Sequence, residues 1–148
     1  MRTCGSILVV LAAGLAIGGS VSACADRVTA TTAAAPIAPG ASGIPHRVEV
    51  AQFAAVIAEP SVQIIDVRTP AEFADGHIVG AVNIPVNDPD FGRRVSELDP
   101  GGRYAVYCRS GNRSQPAVAQ MQAAGILDIV ELESGTNGWA AAGQPLTR

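Results

Sequence analysis

The chain contains no lysine and no run of basic residues. All ten of its positive side chains are arginines scattered over 148 residues, and the formal net charge is −3. Proteins that bind nucleic acids concentrate basic side chains on one face, because they must neutralise phosphates. We therefore expect no nucleic-acid partner for this chain.

Cysteine and histidine are also scarce. The sequence has three cysteines and two histidines, and His46 and His77 lie far apart in the sequence. Metal sites built from these residues need several of them at short, regular spacings. The sequence therefore predicts no metal site.

No internal repeat is visible, and the length suits one folded domain with no room for a second. The apolar fraction of 48% is raised by the first residues and by an Ala-rich stretch that follows them. This fraction therefore does not indicate a protein that lies in the membrane throughout.

The first 23 residues have the features of a targeting segment. Arg2 supplies a small positive region, and the apolar stretch over residues 7–17 is too short to span a bilayer comfortably. The motif Val21-Ser22-Ala23-Cys24 resembles the lipobox of bacterial lipoproteins, in which the cysteine receives a diacylglyceryl group and becomes the new N-terminus. This resemblance implies a signal peptide over residues 1–23 and a membrane anchor on Cys24.

Two alternatives stay open for this segment. The small residues also suit ordinary secretory cleavage after Ala23, which would give a secreted or periplasmic protein, and the segment could remain as an uncleaved anchor. Each possibility places the folded domain, residues 45–148, outside the cytoplasm. Residues 24–44, between the targeting segment and the folded domain, are rich in Ala, Thr, Pro and Gly and lack aromatics, which predicts a flexible linker.

Removal of the first segment and lipidation of Cys24 would leave Cys108 as the only free thiol. No intramolecular disulfide could then form. A lone thiol in an oxidising compartment is either buried and inert or kept for its reactivity.

Short apolar runs alternate with helix-favouring segments in the folded part. We expect strands near residues 48–50 and at 62–67, 81–84, 104–107 and 129–132, and helices at 51–58, 88–98 and 115–124. Thr69-Pro70-Ala71-Glu72 predicts a capping box that begins a further helix. This alternation predicts an α/β fold with a mostly parallel central sheet and helices on both faces.

A thiol directly follows one of the predicted strands. Cys108 opens the loop Cys108-Arg109-Ser110-Gly111-Asn112-Arg113-Ser114, which leads into a predicted helix. Ligands of open α/β sheets bind at the carboxyl ends of strands, and successive amides before a helix form a pocket for negative charge. A cysteine there should be favoured as the nucleophilic thiolate. Arg109 and Arg113 would offer planar donors to an oxyanion such as sulfate, thiosulfate or phosphate.

Plainer interpretations of the same residues also stand. A cysteine after a strand can be a small buried hydrophobe, and two loop arginines can simply be solvated. Ser110 and Ser114 offer hydroxyl donors to a sulfur species, whereas Ser114 could instead cap the following helix.

Several motifs, in order, resemble those of the rhodanese-like sulfurtransferases. The loop from Cys108 to Ser114 is similar to that family's active-site loop. The upstream motifs are Ile65-Asp66-Val67-Arg68-Thr69-Pro70-Ala71-Glu72-Phe73 and Gly76-His77-Ile78-Val79-Gly80-Ala81-Val82-Asn83-Ile84-Pro85, and the C-terminal pattern is Gly135, Trp139, Gly143 and Pro145. Ser134 departs from the pattern, because a Gly-Gly pair is common at this point.

The resemblance implies a rhodanese-like three-layer fold and sulfurtransferase activity without a cofactor. The Cys108 thiolate would take the outer sulfur of an anionic donor such as thiosulfate and pass it to cyanide or a thiol. Arg109 and Arg113 would bind the anion, with Ser110, Gly111, Asn112 and Ser114 completing the cradle. Asp66 and Arg68 would support the site, although a purely structural ion pair, or pairing of Arg68 with Glu72, stays open.

Two other functions remain as alternatives. Cysteine phosphatases and arsenate reductases of related fold use five residues between cysteine and arginine, whereas four separate Cys108 from Arg113. The smaller loop should fit a tetrahedral phosphoryl group poorly. A non-catalytic module that binds a partner, or that senses persulfides or oxidants through Cys108, also stays open. For His77 and Trp139 we expect structural roles, a hydrogen-bonded imidazole and a core aromatic.

Overall fold

The computed structural model describes residues 46–148. Within this range, five strands alternate with five helices. They are β1 (His46–Val48), α1 (Val50–Ile57), β2 (Val62–Asp66), α2 (Pro70–Asp75), β3 (Val82–Asn83), α3 (Phe91–Ser96), β4 (Arg103–Tyr107), α4 (Ser114–Ala123), β5 (Asp128–Leu132) and α5 (Gly135–Ala141).

The strands form one parallel sheet in the order β1-β5-β4-β2-β3. The predicted α/β fold with a parallel sheet is therefore confirmed. The chain leaves β4 towards β5 on one side and leaves β2 towards β3 on the other. The carboxyl ends of β2 and β4 consequently border a topological switch point, where open α/β sheets bind their ligands.

Successive residues of the strands point to opposite faces of the sheet, and each face carries its own core. Val106 and Ile129 lie on the face covered by α3 and α4, together with Met121. Ala105 and Val130 lie on the opposite face, which α1 and α5 cover. The expected helices on both faces are thus present, and the buried strands read as continuous apolar runs because both faces are covered.

Helix α2 begins with the predicted capping box. Thr69 accepts a hydrogen bond from the Glu72 amide at 3.3 Å, and the Glu72 carboxylate accepts one from the Thr69 amide at 3.2 Å. Pro70 occupies the first helical position, where its missing N–H leaves no bond unmade. The cap fixes the backbone just after β2, at the switch point.

Two helices differ from the prediction. Helix α3 begins at Phe91 rather than near Asp88, because residues 88–90 form a turn in which Asp88 accepts from the amides of Asp90 and Phe91, each at 2.9 Å. Helix α5 was not predicted, since its glycines, threonine and asparagine favour helix weakly.

Candidate active site

Cys108 lies at the carboxyl edge of the sheet, directly after the central strand β4. Residues 104–107 of that strand are fully buried, and so is Cys108. Its side chain lies on the same face as Val106, against the core that α4 covers. Burial of this kind suits an inert cysteine as well as a catalytic one, so the polar contacts of the sulfur decide between them.

Several donors converge on the Cys108 sulfur. The Ser114 hydroxyl lies 3.5 Å from Sγ, and the backbone amides of Ser110, Arg113 and Ser114 lower the pKa of the thiol. Burial raises the pKa of the thiol, but the hydrogen bonds from Ser114 and from the loop amides outweigh it, and the net pKa lies below its usual value. The loop therefore favours the thiolate.

Two glycines let this loop lie directly against the turn between β5 and α5. Gly111 has φ +78°, and a Cβ there would meet the carbonyl oxygen of Glu133 at 1.8 Å. Gly135 has φ +57°, and a Cβ there would lie 2.4 Å from the carbonyl oxygen of Cys108. Both positions require glycine for conformation and for space. Gly111 therefore shapes the loop, and its predicted place in the substrate cradle stays a prediction.

The first turn of α5 completes this contact. The amide of Thr136 donates to the Cys108 carbonyl at 2.9 Å, and the amide of Asn137 donates to the Arg109 carbonyl at 3.0 Å. Helix α5 thus satisfies the carbonyl oxygens of Cys108 and Arg109, while the loop's amides stay available to the sulfur.

The two loop arginines lie in different environments. Arg109 is exposed and lines a pocket of ≈ 340 Å³ whose walls also include Arg68, Glu72 and Asn137. Arg113 instead donates two hydrogen bonds of 2.7 Å to the Glu72 carboxylate. This pair lowers the pKa of Glu72 to about 2, chiefly through the hydrogen bonds from Arg113.

The remaining loop side chains also differ in exposure. Ser110 and Asn112 are exposed, whereas Ser114 is fully buried. Ser114 is the first residue of α4 and follows the N-cap residue Arg113. Its hydroxyl therefore contacts Cys108 and does not cap the helix.

Asp66 and Arg68 form a buried ion pair at the end of β2. The guanidinium Nε lies 3.0 Å from both carboxylate oxygens, and Nη2 also donates to the Gly76 carbonyl at 2.8 Å. Arg68 thus pairs with Asp66, whereas Glu72 pairs with Arg113. The Asp66–Arg68 pair ties β2 to the end of α2, and Arg68 forms part of the pocket wall.

His77 and Trp139 have the contacts of structural residues. The His77 ring stacks on Phe73 with a centroid distance of 3.8 Å, and its Nδ1 lies 3.0 Å from the Phe73 carbonyl oxygen. Trp139 is buried and donates from Nε1 to the Pro145 carbonyl at 2.9 Å. Neither ring is among the residues that contact the Cys108 sulfur.

One buried carboxylate near Cys108 was not predicted from the sequence. Glu131 lies in β5, is 2% exposed, and accepts a hydrogen bond of 2.7 Å from the Ser114 hydroxyl. Its other oxygen lies 3.3 Å from Nε of Arg47 on β1. The available signal was a lone glutamate in the apolar run Ile129-Val130-Glu131-Leu132, within a strand covered on both faces.

The predicted signal peptide, the lipidated Cys24 and the linker lie outside the described residues, so these assignments stay predictions. Among residues 46–148, no helix is long and apolar enough to cross a bilayer. The same residues contain no group of three or more His, Cys, Asp or Glu side chains arranged to hold a metal ion.

Comparison with known proteins identifies relatives over most of the folded part. The rhodanese-like domain model matches residues 49–142. A chloroplastic thiosulfate sulfurtransferase of Arabidopsis thaliana is 35% identical over 91 residues, which cover 55% of this chain and 76% of that protein. A sulfurtransferase of Allochromatium vinosum is 36% identical over 85 residues, which cover 57% of this chain and 78% of that protein.

The match to a third relative covers only about half of that relative's length. An uncharacterised protein of Synechocystis is 34% identical over 97 residues, and the match covers 61% of this chain but only about half, 49%, of that protein.

A solved structure shares the fold described above. The rhodanese-related protein of Thermoplasma volcanium superposes with a TM-score of 0.61 at 31% identity, covering 69% of this chain and 97% of that one. With the parallel sheet and the cysteine loop at its carboxyl edge, the family match over residues 49–142 shows that this chain belongs to the rhodanese-like domain family.

Proposed function

We propose that the protein is a sulfurtransferase that carries sulfane sulfur as a persulfide on Cys108. The observation that carries this proposal is the Ser114 hydroxyl 3.5 Å from the Cys108 sulfur, in a loop whose amides also lower the pKa of the thiol. These donors favour a nucleophilic thiolate and would equally stabilise the charge of a persulfide in the same cradle. Relatives described as sulfurtransferases support the same chemistry.

The reaction has two balanced steps. In the first, the Cys108 thiolate attacks the outer sulfur of thiosulfate, a new S–S bond forms, and the S–S bond of the donor breaks so that sulfite leaves with the electron pair. In the second, cyanide or a thiolate attacks the terminal sulfur of the persulfide, which releases the product and restores the Cys108 thiolate. The cysteine sulfur itself is the carrier.

We assign donor binding mainly to Arg109. Arg109 is exposed and is one of the residues that line the pocket. Arg113 has both terminal nitrogens engaged by Glu72, so it holds the loop in place. Replacing Arg109 by Gln should therefore raise the KM for thiosulfate by about tenfold, the loss of one charge-assisted contact.

The test is a thiosulfate:cyanide assay on the full chain beside its Cys108→Ser variant. We expect continuous release of sulfite and thiocyanate from the parent and none from the variant. Intact-mass analysis after thiosulfate alone should show one added sulfur atom on the parent. Cys24→Ser is the control for the choice of cysteine and should retain turnover.

Two results would contradict the proposal. A single stoichiometric modification of Cys108 without turnover would indicate a sensing module. Hydrolysis of an aryl phosphate, with no sulfur ever added to the chain, would indicate a phosphatase.

A further inference from the structure

Glu131 is a buried carboxylate on the same face of the sheet as Cys108. It lies opposite Val106 of β4 and opposite Arg47 of β1 in the strand register. Its burial in a core lined by apolar side chains of β4 and α4 demands a compensating partner, because an isolated ionised carboxylate there is strongly disfavoured.

Ser114 joins Glu131 to Cys108. The serine Oγ lies 2.7 Å from Oε1 of Glu131 and 3.5 Å from Sγ of Cys108. All three side chains are buried, with exposures of 0% for Cys108 and Ser114 and 2% for Glu131. The three groups therefore form one hydrogen-bonded chain away from solvent.

The serine hydroxyl has only one proton to donate. When Glu131 is ionised, that proton points to the carboxylate, and Cys108 can be a thiol that donates to Oγ. When Glu131 is protonated, it donates to Oγ, and the serine proton points to a Cys108 thiolate. The geometry accommodates both arrangements with the same heavy-atom positions, which differ only in where the protons lie.

We propose that Cys108 is deprotonated by passing its proton to Glu131 through the Ser114 hydroxyl. The S–H bond of Cys108 breaks as an O–H bond forms on Ser114, and the original serine proton moves to Oε1 of Glu131. No electron is transferred, and the three groups together keep one negative charge. Glu131 acts only through Ser114, so it is a positioning residue for the proton and does not touch the sulfur donor.

The surroundings of Glu131 and Cys108 bring the pKa values of these two groups closer together. Burial raises the pKa of Glu131, and the neighbouring Glu133 raises it further, while Ser114 and Arg47 oppose this and do not cancel it. Burial raises the pKa of Cys108, but the Ser114 hydroxyl, when its one proton points to the sulfur, lowers it together with the loop amides to below its usual value. A proton shared between a carboxyl and a thiol needs this convergence, because their ordinary pKa values differ by about 4 units.

This proton relay from Cys108 through Ser114 to Glu131 would give Cys108 a proton acceptor inside the protein. Because the thiol is fully buried, its proton would otherwise have to reach water before the first sulfur-transfer step. With Glu131 protonated, Ser114 donates to the sulfur and stabilises the thiolate. This inference rests on the proposed function for its purpose, but the proton chain itself can be tested without any sulfur transfer.

The competing description is structural. In it, Glu131 stays ionised beside Arg47, 3.3 Å away, and Ser114 simply fills the space between Glu131 and the cysteine. The two descriptions predict different titration curves for Cys108. Two coupled groups that share a proton titrate in two steps that belong to the pair, whereas a thiol beside a permanent carboxylate titrates in one.

The experiment measures alkylation of Cys108 by iodoacetamide as a function of pH, followed by intact mass. The full chain carries Cys4→Ser and Cys24→Ser, so that Cys108 is the only thiol. We expect the rate to rise in two steps separated by a plateau. Glu131→Gln and Ser114→Ala should each rise in a single step, and the exposed Glu133→Gln, which removes the same charge two residues away, should keep both steps.

A single step in the parent protein would overturn the proposal, and so would two steps in Glu131→Gln. If a core variant fails to fold, infrared spectroscopy of the parent decides the matter. We expect a protonated-carboxyl band from Glu131 at the pH of the plateau between the two alkylation steps, and this band should disappear in Cys108→Ser, which has no thiol proton to give. A band that persists in Cys108→Ser would show that burial alone keeps Glu131 protonated and would contradict the relay. Because neither measurement uses thiosulfate, failure of the relay and failure of sulfur transfer are distinguishable.

Discussion

The loop that carries Cys108 is held in different ways on its two sides. Against the turn between β5 and α5 it is held by backbone: Gly111 lies against the carbonyl of Glu133, Gly135 lies against the loop, and α5 amides donate to the carbonyl oxygens of Cys108 and Arg109. Towards α2 it is held by one ion pair between Arg113 and Glu72. The first contact depends on the absence of side-chain atoms, and the second depends on charge.

Each side also carries a glutamate, and the two are shifted in opposite directions. Hydrogen bonds from Arg113 lower the pKa of the partly exposed Glu72 to about 2, so it stays ionised at any physiological pH. Burial raises the pKa of Glu131. A carboxylate that is permanently charged can hold a loop, whereas one with a raised pKa can exchange a proton, and environment alone assigns these tasks.

Gly135→Ala should have the largest effect on stability, because it disrupts the backbone contact between the β5–α5 turn and the Cys108 loop. The new Cβ would meet the Cys108 carbonyl oxygen at 2.4 Å and the Arg109 carbonyl carbon at 2.5 Å, at a residue with φ +57°. We expect a loss of at least about 3 kcal/mol in the free energy of unfolding, from conformational strain plus backbone displacement. Urea denaturation measures the loss, and the Cys108 alkylation rate should fall because the amides move.

Gly80→Ala separates these two causes. Gly80 has φ +81°, and a Cβ there would have no atom within 4 Å. The substitution should therefore cost only the left-handed strain of about 1–2 kcal/mol and leave the alkylation of Cys108 unchanged. Equal losses in the two variants would mean that the loop does not rest on the β5–α5 turn.

Glu72→Gln should have a smaller effect, because it removes one charge and keeps the shape. Glutamine can still accept the Thr69 amide of the capping box but loses the charge that binds Arg113. We expect a loss of about 1–2 kcal/mol at neutral pH, since the pair is partly buried and bidentate. Glu97→Gln, in the exposed Arg93–Glu97 pair, is the matched control and should change stability much less than Glu72→Gln does.

The stability difference between the parent protein and Glu72→Gln should change with pH in a definite direction. The folded-state pKa of Glu72, about 2, lies below the unfolded value, so the stabilisation is complete above the unfolded pKa and is lost as the pH falls towards about 2. The difference in stability between parent and Glu72→Gln should therefore narrow between about pH 6 and pH 3. A difference that stays constant over this range would exclude the charge of Glu72 as its source.

The sequence predicted the backbone-held side of the site less well than the sheet that carries it. Strands such as β2 and β4 were predictable because a parallel sheet with covered faces requires continuous apolar runs. Helix α5 was not, because Gly135, Thr136 and Asn137 are weak helix formers whose conformation depends on contact with the Cys108 loop. Tertiary contact outweighs local preference in that helix.

The side-chain partners within the site follow the same rule. Cys108 and its loop could be singled out from local spacing, because one turn between a strand and a helix supplies all the amides. The partner of Arg113, by contrast, is Glu72, 41 residues earlier in the chain, and Ser114 meets Glu131, 17 residues later. Nothing in local spacing pairs residues so far apart, and only the strand order brings them together.

Ser134→Ala should have the smallest effect and sharpens the comparison within the β5–α5 turn. Ser134 stands where the family commonly has glycine, yet its φ of −88° and ψ of −5° are open to any residue. Its hydroxyl is buried with no hydrogen-bond partner among residues 46–148, so removing it should leave stability within about 1 kcal/mol of the parent, in the direction of a gain. Urea midpoints and the Cys108 alkylation rate check this. A loss larger than that would mean that the Ser134 side chain helps to hold the loop, and that Gly135 and the amides of α5 do not suffice.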